Sequence, residues 1–154
     1  MQEMLRKAKV SDARIIHQMI NLSSNKGEML PRSLMDLYGS LRDFFVYLDD
    51  EGSLVGFCAM HIFWENLAEV RSLYVRSENR KSGIGRKLVE ACISEAITLD
   101  LLRIFTLTYQ TEFFKSLGFA VTDKSELPEK VWSDCFKCSK YPDFCDEIAM
   151  IIEP

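Results

Sequence analysis

A mixed α/β fold is the class this sequence predicts. A strand, a crossover helix and a second strand can be read from Leu67 to Thr108, a hairpin precedes them, and helical and strand periodicities alternate along the chain. The strand, helix, strand unit makes its two strands parallel with a right-handed connection. The hairpin adds antiparallel neighbours, so the sheet is mixed.

Each element has its own local reason. A short strand is expected near Leu5 to Ala8, followed by Ser11 and Asp12 as helix-start residues before Ile15, Ile16, Met19, Ile20 and Leu22. A second short helix begins after Pro31, with Leu34, Leu37, Tyr38 and Leu41 on one side. "FFVYLDDEGSLVGFCAMHIF" reads as two apolar strands joined by a turn at Asp49 to Gly52, and "LAEVRSLYV" as the next strand. Gly85, Leu88, Val89, Cys92, Ile93, Ala96 and Leu99 then recur at helical spacing, with Arg86, Lys87, Glu90, Ser94 and Glu95 opposite. A strand from Arg103 to Thr108 follows, and then a helix around Thr111 to Leu117 that Gly118 stops.

The 154 residues suit one domain with one core. With 47% hydrophobic and 27% charged residues, a net charge of −4 and a pI near 5.3, the chain is neither disordered nor a general nucleic-acid binder, which needs a broad basic footprint. No signal peptide or membrane span is evident, so a cytoplasmic protein is expected, with its five cysteines reduced. Cys58 and Cys92 read as buried small hydrophobes.

"NRKSGIGRKL", residues 79–88, is the anomaly. It puts Arg80, Lys81, Arg86 and Lys87 around two glycines in an acidic protein. Arg86 and Lys87 fall in the first turn of a helix, where the macrodipole disfavours cations. Gly83 and Gly85 lie where a strand hands over to a helix, so an anion can approach the free N–H groups of that turn. A pyrophosphate there would also neutralise the cations. The competing reading is a solvated basic loop. Leu88 stands where a dinucleotide fingerprint needs its third glycine, and no P-loop is present.

Arg80-x-x-Gly83-x-Gly85, after "VRSLYV" and before an amphipathic helix, resembles the acetyl-CoA pyrophosphate signature of the GCN5-related N-acetyltransferases (GNAT). "RKAKVSDARII" is similar to that family's first strand and helix, and "RIFTLTYQTEFFKSLGF" to its later strand and helix, so the resemblance covers roughly residues 4 to 122. It implies the GNAT fold, a mixed central sheet with splayed parallel strands and flanking helices. "AEVRSLYV", "LTYQTEFFKSLGF" and "GEMLPRS" are similar to the acetyltransferase part of bacterial N-acetylglutamate synthases, and the tail resembles their short single-domain branch. One domain, 1–154, is expected, with 123–154 a branch-specific segment.

The resemblance also implies roles. Acetyl-CoA would be the donor, held by Leu73, Tyr74 and Val75 along the pantetheine arm, by Arg80, Lys81, Ser82, Gly83, Ile84, Gly85 and Arg86 at the pyrophosphate, and by Thr111 and Phe114. A backbone N–H near Leu73 would face the oxyanion that forms on attack. An amino-acid acceptor arrives as an ammonium and must lose a proton, for which Glu69, interrupting an apolar strand, is the candidate base. A reference Glu titrates near 4.3, so burial or a relaying water must help. With strand period two Glu69 shares a face with Arg71, roughly 7 Å away. Arg71 and Arg32 are the candidate partners of an acceptor carboxylate. Phe114 stands where many members of the family have a Tyr acid, which leaves Tyr109, water or an unaided thiolate.

Cys135, Cys138 and Cys145 supply three thiols, one short of a closed zinc site, so no metal is assigned. His17 and His61 read as structural or surface residues. The function expected is transfer of acetyl to the α-amine of glutamate or glutamine, as in arginine biosynthesis. The alternatives are another amine (a polyamine, an antibiotic, a protein N-terminus) and a non-catalytic acyl-CoA sensor. No nucleic-acid or membrane partner is expected, and a homodimer is left open.

Overall fold

The structure, a computed structural model, describes residues 4–25, 32–127 and 147–154. Its strands are β1 (Met4–Lys7), β2 (Phe44–Leu48), β3 (Leu54–Trp64), β4 (Leu67–Val75), β5 (Ile104–Thr108), β6 (Ala120–Val121) and β7 (Ile148–Ile152). Its helices are α1 (Ala13–Asn25), α2 (Leu34–Gly39), α3 (Ile84–Thr98) and α4 (Thr111–Ser116). The strands form one mixed sheet in the order β1-β2-β3-β4-β5-β7-β6. By its contacts the chain divides into two compact units, Met1–His61 with Val70–Glu95, and Ile62–Glu69 with Ala96–Pro154.

In the first unit β1 and β2 pair antiparallel, as do β2 and β3, the latter with a register shift between Tyr47 and Leu48. The expected turn closes this hairpin. Asp49 Oδ1 accepts the N–H groups of Glu51 and Ser53, and Gly52 takes the positive φ of 82° that a tight turn needs. Ile16, Met19 and Ile20 of α1 pack with Leu37 of α2 and with Phe44, Val46, Leu54 and Phe57 of the hairpin. Burying such side chains contributes about 1.5–3 kcal/mol each. Ser33 caps α2 by accepting the Asp36 N–H.

Cys58 on β3 and Cys92 on α3 are both fully buried free thiols. Burial first, and the neighbouring Cys92 thiol second, push the Cys58 thiol well above its ordinary value. Both act as small core residues.

In the second unit β4 and β5 pair in parallel at Ala68 with Ile104 and Glu69 with Phe105, as the strand, helix, strand reading requires. β7 pairs antiparallel with both β5 and β6. Leu67, Phe105, Leu127 and Ala149 form this unit's cluster. α4 stops as expected, with Gly118 at φ 100° and the Phe119 N–H returning to the Phe114 carbonyl at 3.0 Å.

Several details differ from the sequence reading, among them β6, which was not expected as a strand, and Ile15 and Leu22 of α1's apolar series, which are exposed. Leu99 lies beyond α3 and is exposed, because the helix ends in a left-handed residue, Asp100 (φ 64°), whose successor Leu101 donates back to Ala96 at 2.8 Å. Tyr38 points outward although its neighbour Leu37 is buried, since a helix of six residues buries one narrow face. β7 was not expected as a strand.

Candidate active site

The phosphate-loop residues all belong to the first unit. Arg76 donates its backbone N–H to the Val55 carbonyl of β3 at 2.8 Å. Strand alternation then turns the polar groups of Tyr74 toward β3, and those of Leu73 and Val75 away from it. Ser72 interrupts the regular strand with a φ of 57°, a conformation costly for a residue other than glycine. It stands immediately before Leu73, so it re-aims the backbone where the oxyanion donor was expected. Sequence reasoning missed this kink, since a serine within a strand carries no signal of positive φ.

The loop after β4 is built to present N–H groups. Lys81 and Gly83 have φ values of 68° and 86°, so the chain turns twice through the left-handed region before α3 begins. The ladder of α3 begins with the Lys87 N–H donating to the Gly83 carbonyl at 3.1 Å, so the N–H groups of Ile84, Gly85 and Arg86 precede it. A Cβ placed on Gly83 meets nothing within 4 Å. The glycine permits the left-handed backbone, and the space where its Cβ would stand is open. These residues fit a pyrophosphate.

Part of the positive charge is already engaged. Arg80 donates Nε to the Val75 carbonyl at 2.9 Å with its guanidinium 5.9 Å from the Tyr74 ring, tying the loop to the end of β4. Arg86 pairs with Glu90 one turn on at 3.6 Å, and Lys87 lies 5.8 Å from the Tyr47 ring. Ser82 donates its hydroxyl to the Asn79 carbonyl, which braces the loop from within. The repulsion expected among four cations is thus eased, and the exposed Lys81 remains the loop's outward charge.

Arg32 stands just before α2, also in the first unit. Its Nε donates to Asp36 at 2.8 Å, its Nη2 to Ser40 Oγ at 2.6 Å, and its plane lies 5.4 Å from the Phe44 ring. The third nitrogen, Nη1, is buried and has no hydrogen-bond partner among the described residues. A buried guanidinium N–H calls for an acceptor, and an anionic oxygen would supply one. The braces Asp36 and Ser40 were not foreseen, although the i, i+4 spacing of Arg32 and Asp36 is a legible sign.

On β4 the structure places Glu69 in the second unit and Arg71 in the first. Glu69 is 7% exposed and Arg71 is half-buried. Thr111 opens α4, and Phe114 is buried edge-on against Phe113 and Phe119, with ring centroids 5.1 and 5.2 Å away. His61 Nδ1 sits 2.9 Å from Asp43, and His17 lies on α1 beside Asn21. Cys135, Cys138 and Cys145 lie outside the described residues.

The acetyltransferase (GNAT) domain profile matches residues 40–121. The chain belongs to the GNAT acetyltransferases. It is 39% identical over 147 residues to an uncharacterised N-acetyltransferase of Chlorobaculum tepidum, covering 96% of this chain and 94% of that one. It is 32% identical over 139 residues to an amino-acid acetyltransferase of Mycobacterium tuberculosis, covering 89% and 78%. Among solved structures, Rv2747 of M. tuberculosis in complex with coenzyme A superposes with a TM-score of 0.84 at 26% identity, over 97% of this chain and 98% of that one. The N-acetylglutamate synthase of Neisseria gonorrhoeae, complexed with coenzyme A and N-acetyl-glutamate, superposes with a TM-score of 0.87 at 25% identity, over 99% of this chain and 35% of that longer one. This GNAT protein is an N-acetyltransferase that uses acetyl-CoA as its donor. Among its described residues no helix is long and apolar enough to cross a membrane.

Proposed function

We propose that this acetyltransferase acts on the α-amine of a free amino acid, glutamate or glutamine, and so serves arginine biosynthesis. The observation that carries the reading is Arg32, braced on two nitrogens with its third buried and unpaired among the described residues. A carboxylate satisfies that nitrogen, whereas a polyamine brings only cations and would be repelled. The names of the amino-acid acetyltransferase and N-acetylglutamate synthase relatives support the same choice.

In this reading Glu69 takes the proton from the acceptor ammonium. The freed amine nitrogen bonds to the acyl carbon, the C–S bond breaks, and the sulfur leaves as a thiolate, which takes up the second proton that the nitrogen sheds as it becomes an amide. With a reference thiol pKa near 8.5, that leaving group needs no dedicated acid, so Phe114 is no obstacle. The backbone N–H at Leu73 offers its hydrogen bond to the carbonyl oxygen as charge grows there. Arg32 and Arg71 hold the acceptor's carboxylates.

An acceptor panel with acetyl-CoA, read as free thiol released, tests this. Glutamate or glutamine should lead it, and 4-aminobutyrate, which is glutamate without its α-carboxylate, should be poor. Arg32→Ala should raise the amino-acid KM roughly 10- to 100-fold, since a hydrogen bond to a charged group contributes about 1.5–3 kcal/mol, and leave the acetyl-CoA KM nearly constant. Spermidine or a peptide acetylated faster than any free amino acid would overturn the assignment.

A further inference from the structure

Gly56 lies on β3, outside the loop and outside every residue given a role above. Its φ is not in the left-handed region, so its backbone does not require glycine. Its surroundings do. A Cβ at this position would lie 3.0 Å from the Tyr74 carbonyl oxygen, 3.2 Å from Leu88 Cδ1 and 3.4 Å from Ile84 Cγ2. The first contact is backbone of β4, and the other two are side chains in the opening turns of α3.

We propose that Gly56 is a positioning residue that sets the separation between the two halves of the donor site. This rests on the reading in which β4 pairs with the pantetheine arm and the first turn of α3 holds the pyrophosphate. Those parts of one ligand are joined by covalent bonds, so both can be engaged only if strand edge and helix start stand at the right distance. At Gly56 the two press on the same empty volume. One methyl group there forces β4 or α3 to give by a few tenths of an ångström, and the Tyr74 carbonyl, being main chain inside a sheet, has the least room to yield.

A spacer and a merely structural glycine predict different things, and fragments of the donor separate them. Acetyl-CoA engages both halves, S-acetylpantetheine only the strand, and ADP only the helix start. In Gly56→Ala the affinity for acetyl-CoA, by calorimetry, should fall about tenfold. S-acetylpantetheine and ADP should each bind within about twofold of the wild type, and the KM for acetyl-CoA should rise while kcat stays within about threefold. A folded Gly56→Ala that binds acetyl-CoA as the wild type does, or that loses each fragment as badly as the whole, overturns the proposal. If Gly56→Ala does not fold, Leu88→Phe, which crowds the same volume from the helix side, must show the same split.

Gly83→Val serves as the control on the underlying reading. It should lose ADP and acetyl-CoA and keep S-acetylpantetheine. If ADP binding survives in folded Gly83→Val, the loop is not the phosphate site and the reading itself fails. If Gly83→Val behaves as expected and Gly56→Ala shows no split, the spacer alone fails.

Discussion

Glu69 and Ser72 are three residues apart on one strand, and both break the rule for an interior strand position. Glu69 buries a carboxyl group where apolar neighbours flank it, and Ser72 holds a positive φ that its side chain disfavours. The backbone departure at Ser72 carries a cost of order 1–3 kcal/mol and persists where the surroundings enforce it, commonly at sites of chemistry. Glu69→Gln separates chemistry from packing, because it keeps shape and hydrogen-bonding capacity while removing the base. The expected outcome is a fall in kcat of roughly 10²-fold or more with acetyl-CoA affinity little changed, and loss of the acidic limb of the pH-rate profile. Wild-type turnover with an unaltered profile would return Glu69 to a purely structural role.

The starts of α1 and α3 differ in the charge that stands beside them. At α1, Asp12 lies in the turn just before the helix, accepts the Lys9 N–H at 2.7 Å and is gripped by Arg6 at 2.7 and 3.2 Å, which holds an anion of the protein's own beside that end. At α3 no carboxylate stands in the first turn, and glycine leaves the amides open. Burial alone would push the Asp12 carboxyl up, but the Arg6 hydrogen bonds, the Lys9 N–H and the nearby positive charge together hold it below its ordinary value. A depressed carboxylate stabilises the fold fully above its unfolded-state pKa, and that contribution is lost as the pH falls through the lower folded value. Asp12→Asn should therefore lower stability by about 1–3 kcal/mol at neutral pH. Urea melts of variant and wild type should converge once Asp12 is protonated in the folded as well as the unfolded wild type. A difference that stays constant into acid would assign the effect to packing. Such local devices are also what the sequence reveals well. The turn at Asp49, the bounds of β4 and the stop at Gly118 follow from short-range chemistry, and Gly83 and Arg32 announce themselves by residue type. β7 was hidden because "IAMII" has no period to read and its partners β5 and β6 are distant in the chain. The kink at Ser72 was hidden because a backbone angle leaves no trace in residue type.

At the scale of the whole molecule an acidic chain binds an anionic donor. With a net charge of −4, the protein's summed charge does not attract phosphates, so in the proposed reading their affinity comes from the short stretch that concentrates cations and amides between Arg80 and Lys87. Interactions beyond about 10 Å are screened at ordinary ionic strength, which leaves that near-field group dominant. Whatever binds the folded chain and not the unfolded one stabilises it by mass action, about 2.7 kcal/mol at a hundredfold excess over Kd. For a chain of this size each kcal/mol raises Tm by about 2–4 °C. Acetyl-CoA at one hundred times its calorimetric Kd should therefore raise the wild-type Tm by roughly 5–11 °C, and its removal by gel filtration should reverse the gain. At the same donor concentration Gly83→Val should lose most of the shift, because valine strains a φ of 86° and puts a branched side chain into the open space beside the loop. Its melting without donor reports the strain separately. A folded Gly83→Val that keeps the full wild-type shift would place the donor's phosphates somewhere other than this loop.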